Sequence, residues 1–423
     1  MKRRTLLAMM GAGFTHSAWA NPQGFLPDPP KKLHFQNGVL LDKNGVLHQN
    51  IGLRITEEGA VFSSSIKEGF DLKGAWMVPG FVDAGNHLGL YEVGLENGTH
   101  DDRIGSAEHR ELLSPIDGYN PLSRTVPLVR NHGITHCFLH PKINDLVVGQ
   151  MSAIRTAGLL PREALLQENI GLLVTLGNRA KTGGRQSRIE IAYDIRKKLS
   201  AQGKREGKRK SFFDRKKTDP YAGLEDHEKI WAQIANKELP ILFHAHRVDD
   251  IDLVCQLTKE YDIRSLIVGG GESWMIADRL AEQEIGMLYG PIDIQPSRFE
   301  HLKARTDTPT LLHQAGVTFA FRTGDNHRVS QLPSLAGLSV AHGLPFEEAI
   351  KAITVNAYDL LGMNNHNAIT LDAEPQQSSF FLCTGDPLQP RNEVLRMWIE
   401  GKEVSLDTEQ KNLYERFRDL SER

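Results

Sequence analysis

Between residues 81 and 365 short apolar runs alternate with amphipathic stretches, and this alternation constrains the fold more than any other feature of the chain. The runs GITHCFLHP, IGLLVTLG, LPILFHAHR, RSLIVGGG, IGMLYGPI and GVTFAFRTGD read as buried strands. DDIDLVCQLTKEY and SWMIADRLAEQE, lying between them, carry apolar residues at helical spacing. Strand–helix units repeated over about 280 residues predict an α/β fold, a parallel (β/α)8 TIM-like barrel. An open doubly wound sheet is the competing arrangement, but no Gly-rich dinucleotide fingerprint supports it.

The flanks have a different texture. Within residues 33–80, VLLD, IGLRIT and AVFSS are short strand candidates separated by turn signals such as Asn37-Gly38, Asn44-Gly45 and Glu58-Gly59. After residue 365 the stretches NAITLD, SSFFLCTGDP and VLRMWIEGKEV return to strand texture. A β segment on each side of a barrel predicts that residues 33–80 and 366–405 join in a flanking β-sandwich, with the barrel over 81–365. In the tail, 406–423, Leu413, Phe417 and Leu420 recur at helical spacing and predict a docking helix.

Residues 1–20, MKRRTLLAMMGAGFTHSAWA, combine a basic start, a short apolar stretch and Ala18-Trp19-Ala20. These are the parts of a secretory signal peptide, too short for a membrane span, and they predict a periplasmic protein. Arg3-Arg4 before Thr5-Leu6-Leu7 also resembles a twin-arginine export signal. A net charge of −3 gives no reason to expect nucleic acid or an acidic membrane as the main partner. The Lys/Arg-rich run at 197–217 reads as a solvated helical excursion between barrel elements in preference to an anionic-partner site. Cys137, Cys255 and Cys383 are odd in number, widely separated and set among apolar neighbours, so they read as core residues.

The chemistry-bearing residues cluster at the ends of predicted strands. In ILFHAHR, His244 and His246 stand at i and i+2, so they share one face at the rim where barrel active sites gather. Two imidazoles there suit a metal, and they equally suit a hydrogen-bonded structural pair. In VPGFVDAGNHLGLYE the same rule puts Asp83, Gly85 and His87 on one face, with His87 a candidate ligand. Asp325 follows GVTFAFRTG, where a carboxylate can bind a metal and take a proton from its water, or simply make a turn. His136 and His140 share a face of an early strand and read as structural, with His140 at the rim.

Several of these stretches, in this order, resemble the amidohydrolase superfamily, in the branch related to imidazolonepropionase. They are MVPGFVDAGNHLGLYE, the run from Ile116 to Gly158, FHAHRVDDI, GLPFEEAIKAITVNAYDLLGM, and GDPL with IEGKEV. The resemblance implies a (β/α)8 barrel with a flanking β-sandwich, one or two divalent metals, and hydrolysis of C–N bonds. It places the first-strand histidine pair at Gly85 and His87, the fifth-strand histidine at His244 and the sixth-strand histidine at Gly269. The final aspartate falls at Gly324, or at Asp325 after a one-residue shift, and Lys181 is the nearest substitute for a central lysine.

Glycine has no donor atom, so the pattern implies a degenerate site. His87, His244 and Asp325 would hold one zinc-like ion, with His246 and Asp325 as catalytic groups, or no metal is held at all. Two functions follow as expectations. The first is an exported amidohydrolase-like enzyme cleaving a non-peptide or cyclic amide at a mononuclear site. The second is a catalytically inactive descendant that binds a small molecule or a protein partner.

Overall fold

The computed structural model describes residues 33–209, 221–292 and 298–418, so the export signal expected over 1–20 lies outside the described residues. The first five strands are β1 (His34–Leu41), β2 (Leu47–Thr56), β3 (Gly59–Ser63), β4 (Phe70–Asp71) and β5 (Trp76–Pro79). Then come β6 (Phe81–Asn86), β7 (Ile134–Leu139), β8 (Val147–Arg155) and β9 (Leu165–Thr175). They are followed by β10 (Ile241–Ala245), β11 (Ser265–Gly269), β12 (Gly286–Tyr289) and β13 (Phe319–Phe321). The last three are β14 (Phe380–Cys383), β15 (Val394–Ile399) and β16 (Lys402–Val404).

These strands form two eight-stranded sheets. One runs in the order β16-β15-β14-β5-β1-β2-β3, with β4 beside β1, so the two ends of the chain meet where β14 pairs with β5. The sheet curls. Phe62 of β3 reaches Phe380 of β14 edge-on at 5.1 Å, and Phe380 stacks on Trp398 at 4.8 Å. The stretch Asn367–Asp372, expected as a strand, forms none. It turns through Asp372 at φ 53° while Ile369 stays buried in the sheet's core.

At Gly80 the chain passes from this sheet into the second, whose order is β13-β12-β11-β10-β9-β8-β7-β6. This is a nearly closed barrel within a mixed α/β fold. Its end strands are bridged by Gly324 N–H donating to the Gly85 carbonyl at 2.9 Å and Thr323 N–H donating to Asp83 at 3.1 Å. One part of the expected barrel is corrected. β8 runs antiparallel to both β7 and β9, so the barrel is not wholly parallel. The connections at 140–146 and 156–164 are too short for the crossover that a parallel neighbour requires.

Alternation along the strands decides what enters the barrel. Leu242, Leu266, Leu288 and Ala320 pack in the interior cluster, closed at one end by Tyr358 and Leu361 of the helix Asn356–Leu361. Their neighbours Phe243, Ile267, Met287 and Phe321 pack outward against helices. The helix Val248–Tyr261, for example, buries Ile251, Val254, Cys255 and Leu257 and ends at Asp262 in the left-handed region. All three cysteines are buried and free.

The C-terminal helix Glu409–Arg418 forms, but it does not dock as expected. Leu413, Tyr414 and Phe417 are exposed, and Leu420 lies outside the described residues. The spacing predicted the helix correctly, yet no apolar surface covers its stripe among the described residues. Of the basic run, residues 197–209 continue the helix Arg188–Arg209, and the rest lies outside the described residues.

Candidate functional site

His87, His244, His246 and Asp325 all line one cavity of about 330 Å³ at the barrel mouth. A larger cavity of about 600 Å³ lies against the curled sheet, lined by Leu47, Trp76 and Phe346 among others, and holds no histidine. The smaller one therefore carries the chemistry.

The strand that bears Leu242 in the interior brings His244 to the cavity two residues later. The His244 ring lies 3.0 Å, through Nδ1, from Thr175 Oγ1, whose hydroxyl donates to the Leu176 carbonyl at 3.2 Å. Nδ1 is then the donor to Thr175, leaving Nε2 to accept from His246 Nε2–H at 3.1 Å. Burial first, then repulsion from His246 at His244 and from His301 at His246, keeps both imidazoles neutral, well below the usual histidine range.

His87 donates from Nδ1 to the His140 carbonyl at 2.8 Å, and its burial pushes the ring down to about 4. His140, expected to be structural, touches the site directly. Its Nδ1–H donates to the Pro141 carbonyl at 2.7 Å, and its Nε2 accepts from Arg322 Nη2 at 2.9 Å.

Asp325 accepts from the Tyr91 hydroxyl at 2.9 Å and from His327 N–H at 3.0 Å. It thereby caps the short helical turn Asn326–Gln331. Asp83 does not line the cavity. Register against β7 shifts between Asp83 and Asn86, which interrupts the alternation that would have aligned Asp83, Gly85 and His87. The Asp83 carboxylate instead accepts from Gly85 N–H on its own strand and from Thr323 across the seam, and burial raises it to about 6. Lys181 is exposed and stands outside the cavity; Arg179, two residues earlier, lines it.

The residue the sequence reading missed is Arg322. It lies two positions after Ala320 on β13, so alternation turns it into the barrel, where it is buried. Its Nη1 donates to the Gly290 carbonyl at 3.1 Å. A Cβ on Gly85 would stand 2.7 Å from Arg322 Nε, and one on Gly324 would stand 3.2 Å from Nη2. At Gly269 the occupant is His246, whose Cε1 would be 2.6 Å from an added Cβ. Gly269 and Gly324 also adopt φ of 99° and 74°, where a side chain would strain the backbone.

These contacts test whether the residues suit a divalent metal. Among the described residues no three His, Cys, Asp or Glu side chains form a group able to hold one. His244 is engaged by His246 and Asp325 by Tyr91, and a guanidinium already sits against His140. The set does not fit a metal site.

No family model matches the sequence, and no curated protein matches it. Solved structures do. An amidohydrolase from Thermotoga maritima MSB8 is similar with a TM-score of 0.77 and 23% identity, covering 88% of this chain and 100% of that one. A prolidase in complex with N-methylphosphonate-L-proline gives 0.52 and 14%, covering 88% and 99%. A molinate hydrolase gives 0.50 and 13%, covering 88% and 94%. At these identities the likeness establishes the fold alone.

Proposed function

We propose that this chain is an amidohydrolase-fold protein whose barrel mouth binds a small molecule without a catalytic metal. One observation carries this reading. Gly85 and Gly269, at positions that the resemblance assigns to metal ligands, and Gly324, which holds the final aspartate's place unless the alignment shifts to Asp325, are each packed by another side chain, Arg322 against Gly85 and Gly324 and His246 against Gly269. A divalent ion drawn to His87 and His244 would have to enter beside a buried guanidinium, and like charges at such range repel strongly in a poorly screened site.

Metal analysis tests it. Protein incubated with zinc and then desalted is expected to retain less than about a tenth of an equivalent, since fewer than three ligands converge. Retention near one equivalent, lost in His244→Ala, would overturn the reading.

A second reading is favoured by the Thr175–His244–His246 chain of neutral side chains, which can move a proton at the cavity wall. On that reading the protein hydrolyses an amide or other C–N bond, as its structural relatives' names suggest, with His246 as the proton-transfer group. Turnover of any member of a cyclic-amide and dipeptide panel, abolished by His246→Ala in folded protein, would establish it in place of the first. In either case we place the protein in the periplasm, which cleavage after Ala20, read as the mass of the exported protein, would check.

A further inference from the structure

The cavity's walls are more cationic than its acids can neutralise. Lys142, Arg179, Arg298 and Arg322 line it, and none of the four forms an ion pair with a carboxylate among the described residues. The two acids present are committed elsewhere. Asp102 accepts from His100 Nδ1 at 2.8 Å, and Asp325 accepts from Tyr91 and His327.

Arg322 is 3% exposed, and its Nε has no hydrogen-bond partner among the described residues. The Arg179 Nε is also buried without one, while its Nη1 donates to the Ile143 carbonyl at 2.6 Å. Burial pushes both guanidinium groups down to about 10, helped by Arg298 at Arg179 and by Arg179 at Arg322, against the opposing pull of Glu300 on Arg179 and of Asp83 on Arg322. Asp83 and Glu300 act on these groups from beyond ion-pair contact, and a buried cation with no carboxylate against it is costly unless something supplies one.

We infer that the cavity binds a small organic oxyanion, a carboxylate or phosphate group seated against Arg322 with Arg179, Arg298 and Lys142 around it. Guanidinium groups suit such planar or tetrahedral oxygens better than point cations do. A volume of about 330 Å³ admits a small molecule and no macromolecule. The inference deepens the metal-free reading and rests on it, because the anion takes the place that the cationic wall leaves for negative charge.

Isothermal titration of EDTA-treated, dialysed protein with succinate and with inorganic phosphate tests it. At least one is expected to bind with a Kd below about 1 mM at low salt, and more weakly at about 0.3 M salt. Succinate alone binding identifies a carboxylate site, and phosphate alone a phosphoryl site. Lys142→Ala and Arg298→Ala, both away from the packed core, are expected to weaken binding severalfold each. Arg322→Met is expected to abolish it, with circular dichroism checking its fold. No binding of either probe, or binding unchanged in Lys142→Ala and Arg298→Ala, overturns the inference. Zinc retention by protein that still binds an anion when stripped would defeat the metal-free reading alone. Neither zinc nor anion binding would defeat this inference alone.

Discussion

Arg322 Nε stands where a side chain on Gly85 would have to begin, since a Cβ there would lie 2.7 Å from that nitrogen. The two positions are therefore coupled: the absence of one side chain makes room for the other. Gly85→Ala is expected to cost about 1–3 kcal/mol in urea unfolding, the usual cost of overpacking. In an Arg322→Ala background the same change should cost at least about 1 kcal/mol less, because the obstructing guanidinium is gone. Strictly additive values would mean that Gly85 is constrained by something else.

Asp83 closes the barrel. Its carboxylate accepts from Thr323 N–H and from Gly85 N–H, each at 3.1 Å, and from the Thr323 hydroxyl. Asp83→Ala leaves those buried donors without an acceptor and is expected to cost about 2–4 kcal/mol. Amide exchange at Thr323 and Gly85 should accelerate more than exchange at the centres of β10 and β11. A loss below about 1 kcal/mol would mean that the seam is held elsewhere.

The strands of the barrel were legible in the sequence because buried parallel strands are continuous apolar runs between turn residues. β8 was not, because VVGQMSAIR mixes Gly, Gln and Ser into a buried strand, where Gln150 Nε2 donates to the Glu111 carbonyl. The candidate residues His87, His244, His246 and Asp325 were found because histidines and a carboxylate at strand ends are recognisable, and they do share one cavity. Arg322 was equally readable from the alternation of Ala320 and Arg322 in FAFRTG, but nothing in the local sequence says that a cation faces inward. Its meaning appears only when Gly85 and Gly324, distant in sequence or conformationally constrained, are seen to lie against it.

The terminal helix offers a prediction that opposes the expectation drawn from its spacing. Leu413, Tyr414 and Phe417 are exposed, and Glu409 pairs with Arg124 at 2.8 Å on the surface. Surface ion pairs contribute about 0–1 kcal/mol. Removing residues 409–423 should therefore change unfolding stability by less than about 1 kcal/mol. A loss of several kcal/mol would show that the helix docks in solution.

His136 makes the protein acid-sensitive in a way that can be isolated from the cavity. It is fully buried, its Nδ1 lies 3.1 Å from Thr135 Oγ1, and its Nε2 has no partner among the described residues. Burial first, then the His366 ring 6.0 Å away and Arg155, push it down to about 3, against the opposing pull of Glu400 and the nearby Asn367 amide. The folded value lies below the unfolded one of 6.5, so the unfolded chain binds the extra proton between them. His136 thus contributes its full stability above about pH 6.5 and loses it as pH falls toward 3. Over pH 6.5 to 5 that loss is about 2 kcal/mol from this residue. The other buried neutral histidines add to it in the wild type. His136→Leu should unfold with a flatter dependence on pH, by about that amount, in urea titrations at pH 7 and 5. An unchanged slope would mean that His136 is protonated in the folded protein or that its proton is lost in both states.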